Sequence, residues 1–448
     1  MKSAVRRRLA AAAAAALLIG LSSAPVAAAR PLASPVRGGA NAAVAPVGST
    51  YFPITPVRVL DSRGSGSAGL SGVSGPFVSG HARTFQVANL GSIPAGAVAV
   101  TGNLTVTRQT KAGHVSLTTT PDNSPTTSTL NFPVGENRAN NVTAALSGSG
   151  TLSATYVGSG GTADLVFDVT GYFLADDTGA TFHPVAPRII VDSRNGSGMP
   201  GGAGGGPGDA AKFKAGVPVG FENVADMLNS DPGSYIPMQA TAIAANLTVT
   251  NQAHAGYLSV TPDSTSHPTV SDLNFPAHGN RSNGVTIAVN SAHDFSIVYV
   301  APAGATADVI VAITGYYLPD LTGLHFYPLS PARVMDTRPG AQGSGLTGAF
   351  VAGTSRELAI AGSSTVPAEA MAVTANLTVT DQAAAGSVSI GIDSQSALDV
   401  TLINFPIADH LANGMNLALS GGGAIWLDYH AGTSKKTDLI LDVTGYYR

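Results

Sequence analysis

The sequence predicts an all-β protein of three tandem antiparallel β-sandwich or jelly-roll-like domains behind a secretory leader, and three observations carry that expectation. One paragraph of sequence is written three times. Its segments alternate apolar and polar residues at the period of a strand. Outside one short segment of copy two, no stretch shows helical periodicity.

The opening line of the repeat reads Pro-Val-Arg-Val-Leu-Asp-Ser-Arg at 56–63, Pro-Arg-Ile-Ile-Val-Asp-Ser-Arg at 187–194 and Pro-Ala-Arg-Val-Met-Asp-Thr-Arg at 331–338. A middle line, Asn-Leu-Thr-Val-Thr, begins at Asn103, Asn246 and Asn376, and a closing line, Thr-Gly-Tyr, at Thr170, Thr314 and Thr444. The opening aspartates are 131 and 144 residues apart, a domain's length and far more than the ~20–50 residues of a solenoid or propeller unit. The expected divisions are a signal peptide at 1–29, an Ala/Pro/Gly-rich linker at 30–50, and β modules at 51–176, 181–319 and 324–448.

The leader has a basic start (Lys2, Arg6, Arg7, Arg8), an apolar stretch at 9–21 and small residues at Ala27 and Ala29, the three parts of an export signal. The apolar run is short of the ~20 residues of a membrane span, and nothing later is long enough to span. The expected location is therefore secreted or extracellular. Removing the leader's four basic and no acidic residues takes the formal charge from −4 to −8. That charge, without any basic cluster, argues against a nucleic-acid partner. With 0 cysteines, each copy must be held by its own core, and thiolate metal sites are excluded.

Within copy one, Val98, Val100, Leu104 and Val106 point one way and Ala99, Thr101, Asn103, Thr105 and Thr107 the other, the pattern of a half-buried strand. Copies two and three keep the phase. Shorter strands are expected at 114–120, 129–132, 141–146 and 152–157, and a closing strand at 163–173, with Gly, Pro, Asn and Ser turns between them. Copy two carries about 15 extra residues, at about 214–236, within which 221–228 has the spacing of a short helix.

The order of D-S/T-R, a Gly-rich loop, N-L-T-V-T, L/I-N-F-P, A/S-N-G/N and D-V-T-G-Y-F/Y resembles the tandem modules of secreted actinobacterial proteins associated with the cell surface and cell wall. The resemblance covers the chain from about Tyr51 to its end. It implies an exported, non-catalytic β module, found beside wall hydrolases or alone, whose ligand is a cell-wall polymer or other polysaccharide. Two departures stand out. Ala312 replaces the aspartate of Asp168 and Asp442, and Leu411 replaces the arginine of Arg138 and Arg281.

Two sets of recurring polar residues are candidates for ligand binding. Asp61 with Arg63, Asp192 with Arg194, and Asp336 with Arg338 stand before Gly-rich stretches, where a carboxylate and a planar guanidinium suit sugar hydroxyls. The alternative is turn chemistry, with Asp capping and Arg tying strands. The second set is the row Asn103, Thr105, Thr107, repeated as Asn246, Thr248, Thr250 and as Asn376, Thr378, Thr380, either a sugar-binding face or an ordinary solvated one. Asn131, Asn274, Asn404 and Asn140, Asn283, Asn413 suit buried amides that satisfy loop backbone groups.

Catalysis is not expected. None of the ten histidines recurs in all copies, and Asp164 and Asp168, four residues apart on one strand, are roughly 13 Å apart. No Walker loop, His-Glu-x-x-His or Ser elbow is present. No cofactor or metal is expected either, since no copy has a tight acidic cluster. The sequence thus points to a secreted repeat protein that binds cell wall or polysaccharide by several weak contacts, three equivalent sites adding avidity on a repetitive polymer. A structural or protein-adhesive envelope spacer is the alternative.

Overall fold

Nine strands form in copy one: β1 (Thr50–Asp61), β2 (Phe77–Val78), β3 (Arg83–Gln86), β4 (Ala97–Thr107), β5 (Gly113–Thr118), β6 (Leu130–Phe132), β7 (Arg138–Ala145), β8 (Thr151–Gly158) and β9 (Thr162–Leu174). The computed structural model describes residues 48–448 except 65–68, 201–211, 223–235, 342–344, 364 and 395–399. The expected leader, and all but the last three residues of the expected linker, lie outside the described residues. So does most of the short helix expected at 221–228, although Phe221 itself ends a strand, Pro218–Phe221.

One antiparallel sheet has the order β1-β9-β4-β7, with β2 also on β9, and a second has the order β3-β8-β5-β6. Copies two and three repeat both sheets strand for strand, which makes six sheets. The strands expected from alternation all form, within a few residues of their expected ends. Each pair of sheets encloses one apolar cluster. In copy one it takes Val59, Leu104 and Phe167 from the first sheet and Phe85, Leu117 and Leu130 from the second. Burying each such side chain is worth about 1.5–3 kcal/mol.

Three free-standing sandwich domains are not what forms. The six sheets close into a ring, and the described residues belong to one compact unit, Pro46–Arg448. A fourth apolar cluster takes Tyr51 and Phe173 from copy one, Phe182 and Tyr317 from copy two, and Phe326 and Tyr447 from copy three. Three short backbone bridges join the copies in a triangle: Ser49 with Phe326, Tyr51 with Ala180, and Phe182 with Leu324. The closing motif owes its glycine to this end of the ring. A Cβ on Gly171 would lie 2.1 Å from the Tyr51 hydroxyl oxygen, and one on Gly315 or Gly445 would lie 2.3 Å from a ring carbon of Phe182 or Phe326.

Because the copies pack on one another, β4 is not half-buried. Thr101 and Asn103, on its polar face, are 1% and 4% exposed. At those two residues the face lies against the neighbouring copy, so it is polar there without being wet, while Thr105 and Thr107 farther along are partly exposed.

Candidate functional site

The middle asparagines build the seams. The Asn103 amide donates to the Ser271 carbonyl of copy two, Asn246 to the Thr401 carbonyl of copy three, and Asn376 to the Ser128 carbonyl of copy one. Their own side-chain oxygens accept from Asn283, Asn413 and Asn140 at 3.0, 2.9 and 2.8 Å. The Asn283, Asn413 and Asn140 oxygens in turn accept from the backbone N–H of Asn141, Gly284 and Gly414 at 2.8, 2.6 and 2.8 Å. Their amides also reach a carbonyl within their own copy, at Asp272, Leu402 and Thr129. A buried amide must fill its bonding capacity, and here each is filled by two copies at once. These six asparagines therefore hold the ring together.

Past this layer the axis is tight. A Cβ on Gly284 would lie 1.9 Å from the Gly414 carbonyl oxygen, and one on Gly414 2.0 Å from that of Asn141. Beyond it, Arg138 and Arg281 pair with Glu136, and Arg138 also with Asp409, bringing charges from all three copies together. Burial pushes the Glu136 carboxyl up, but the two guanidiniums outweigh it and hold it below its ordinary range. Leu411 fills the place of a third arginine, and it is buried in the apolar cluster of copy three. Two arginines and two carboxylates balance, so a third buried cation would lack a partner.

The opening motif is local chemistry at its first and last members and a strand tie at its middle one. Asp61 accepts from the backbone N–H of Arg63 at 3.2 Å and from its Nε at 2.8 Å, and the other two copies repeat this. Burial raises the Asp61 carboxyl, but donation by Arg63 outweighs it and the net shift is downward, as it is for Asp192 and Asp336. Ser62, Ser193 and Thr337 donate to Asp164, Asp308 and Asp438 at 3.0, 3.0 and 2.8 Å, tying the opening strand to the closing one.

Both candidate sets meet at the edges of the seams. Between copies one and two, a groove of about 250 Å³ is lined by Arg58, Arg63, Thr105, Thr107, Tyr257 and Asn274, among others. Its counterpart between copies three and one, of about 370 Å³, has Arg333, Arg338, Thr378, Thr380, His114 and Asn131 in the same roles. Arg58 lies across from Asp168 in the strand register and pairs with it at 2.8 and 3.0 Å, while also donating to the Thr269 carbonyl of copy two at 2.9 Å. Arg333 does the same with Asp442 and the Thr126 carbonyl of copy one. Burial lowers the His114 imidazole to about 4, with help from the nearby Arg333 charge, so the ring is neutral at pH 7.

The third seam departs from this pattern. There the cross-strand pair is Ile189 with Ala312, and both pack against the apolar cluster of copy three. The loss of the aspartate at Ala312 is thus matched by loss of its arginine partner. Thr248 bonds Ser282 of its own copy at 2.9 Å, and Thr250 ends its strand beside Asp308. Among the described residues, the full set of Arg, Thr and Asn lines a groove at two of the seams.

One recurring residue escaped the sequence reading. Gln109, Gln252 and Gln382 each lie six residues past the middle asparagine, and each donates to two carbonyls of its own Phe-Pro loop. Recurrence at a fixed offset was the available signal. Among the described residues, no group of three or more His, Asp or Glu is placed to hold a metal.

No family model and no curated protein matches the chain. Among solved structures, a protein described under "The Triple Jelly Roll Fold and Turret Assembly in an Archaeal Virus" is 8% identical, with 89% of this chain and 90% of that chain covered and a TM-score of 0.17. A protein of Sulfolobus turreted icosahedral virus is 9% identical, with 89% and 91% covered and a TM-score of 0.16. Likeness at this level carries no argument for this chain.

Proposed function

We propose that this chain is an exported, non-catalytic protein that binds cell wall or another polysaccharide through the two polar grooves between its copies. The observation that carries the reading is convergence. The Arg of the opening motif and the Thr pair of the middle strand are 42 residues apart in copy one, yet they line one groove, and the same set lines a second. Open grooves edged by hydroxyls, amides and paired guanidiniums suit a ligand made of hydroxyl groups. Two such grooves on one rigid body add avidity on a repetitive polymer.

A structural envelope component is the second reading, favoured by the use of all six middle-layer asparagines to join copies. Co-sedimentation of the full chain with purified wall separates the two. Thr126 and Thr269 are exposed on the groove rims, so Thr126→Trp with Thr269→Trp obstructs both grooves without entering a core. Binding by the parent, lost in the double variant at unchanged melting temperature, is expected. Equal sedimentation of both proteins removes the grooves as the site, and sedimentation of neither removes binding to wall.

A further inference from the structure

Among the positions at which the two grooves differ, which include Asn137 against His410 and Val270 against Thr127, one carries a phenol. Between copies one and two stands Tyr257, between copies three and one stands His114, and the equivalent in copy three is Ser387. Tyr257 is partly exposed. Tyr172, Tyr316 and Tyr327 each stack on a neighbouring ring, at 5.1, 5.1 and 5.0 Å. Among the described residues, Tyr257 has neither a ring partner nor a side-chain hydrogen bond. Such a phenol offers a flat apolar face with a polar tip.

Around it the hydrogen-bonding groups are uncommitted in a telling way. Arg63 spends Nε and one terminal nitrogen on Asp61, which leaves Nη1 without a partner among the described residues. The Thr105 hydroxyl also has none among them. Asn274 donates to Ser271 Oγ at 3.1 Å, and its carbonyl oxygen remains to accept. Charge, by contrast, is fully matched: Arg58 pairs with Asp168 and Arg63 with Asp61. An anion entering here meets no uncompensated cation. At about 250 Å³ the groove is smaller than the roughly 300–1,000 Å³ of a drug-sized pocket, which is room for one ring.

We infer that the groove between copies one and two is a subsite for one uncharged sugar ring, with Tyr257 as the platform under its C–H face and Arg63, Thr105 and Asn274 bonding its hydroxyls. This deepens the polysaccharide reading and rests on it. The groove between copies three and one, with His114 in place of the phenol, contributes avidity on a polymer but little affinity for a short oligomer.

The test is an oligosaccharide array carrying neutral hexose and N-acetylhexosamine oligomers beside uronic-acid and phosphorylated ones, followed by titration of the full chain with the best neutral oligomer. Tyr257→Ala is expected to weaken binding tenfold or more, Tyr257→Phe to stay within threefold of the parent, and His114→Ala to do the same. Binding confined to charged oligomers, or Tyr257→Ala binding as the parent does, overturns the inference. A chain that sediments with wall, loses this in the rim double variant, yet binds no neutral oligomer overturns the subsite alone. A chain that does not sediment and binds no oligomer overturns both readings.

Discussion

At the scale of single residues, the ring concentrates polar groups where three copies meet, and one of them is out of keeping with its equivalents. Asp272 is buried and accepts from the backbone N–H of Val260 at 2.7 Å. In copy one the same bond is made by the neutral Thr129, accepting from Leu117 at 3.0 Å, and copy three has Leu402 at this place. Burial, reinforced by the Asp168 charge, raises the Asp272 carboxyl to about 7. A carboxyl that binds its proton more tightly when folded adds stability below pH 4, and that stability is lost as pH rises through about 7. The displacement from the ordinary 3.8 to about 7 is worth up to about 4 kcal/mol. Urea unfolding of the parent is therefore expected to show lower stability at pH 8 than at pH 5. Asp272→Thr, which keeps an acceptor for Val260, should flatten that difference. An equal loss in parent and variant would place the pH dependence elsewhere.

At the scale of elements, strand pairing converts isolated departures into matched exchanges. Arg58 across from Asp168 and Arg333 across from Asp442 become Ile189 across from Ala312. Ala312→Asp alone places an unpaired carboxylate in an apolar seam and should cost roughly 3–5 kcal/mol, the scale of a broken buried pair. Adding Ile189→Arg should recover a large part of that, which a double-mutant cycle in urea reads directly. Additive losses would show that the two positions do not face each other. Gly414 tests the axis in the same way. Its Cβ would strike the Asn141 carbonyl, so Gly414→Ala should lower stability by about 1–3 kcal/mol or more, and an unchanged unfolding midpoint would mean the axis is looser than described.

The strands were legible in the sequence because alternation reports a buried face directly, as Val100, Leu104 and Val106 show. The seams were not. Asn103, Thr105 and Thr107 alternate with those residues whether the second face meets water or another copy, and period alone does not distinguish the two. Asn140, Asn283 and Asn413 have the sequence setting of buried amides, but the backbone groups whose bonds their oxygens accept lie 129 to 274 residues away. Ala312 was visible as a departure; its partner Ile189 was not, because the match depends on a register that only the paired strands reveal. The candidate Arg and Thr residues were found separately, and what the sequence did not carry is that they line common grooves.

At the scale of the whole molecule, the chain is three copies acting as one body. Each copy has its own apolar cluster, so the repeats look separable in sequence, but the fourth cluster and the asparagine layer exist only when all three meet. The grooves are likewise built from two copies each, and a ligand-binding unit is a seam instead of a repeat. Scanning calorimetry of the full chain tests this most directly. One transition, with calorimetric and van't Hoff enthalpies equal, is expected if the ring opens as a unit. Three resolved transitions, each with the enthalpy of a single copy, would contradict it and return the molecule to three independent domains on a string.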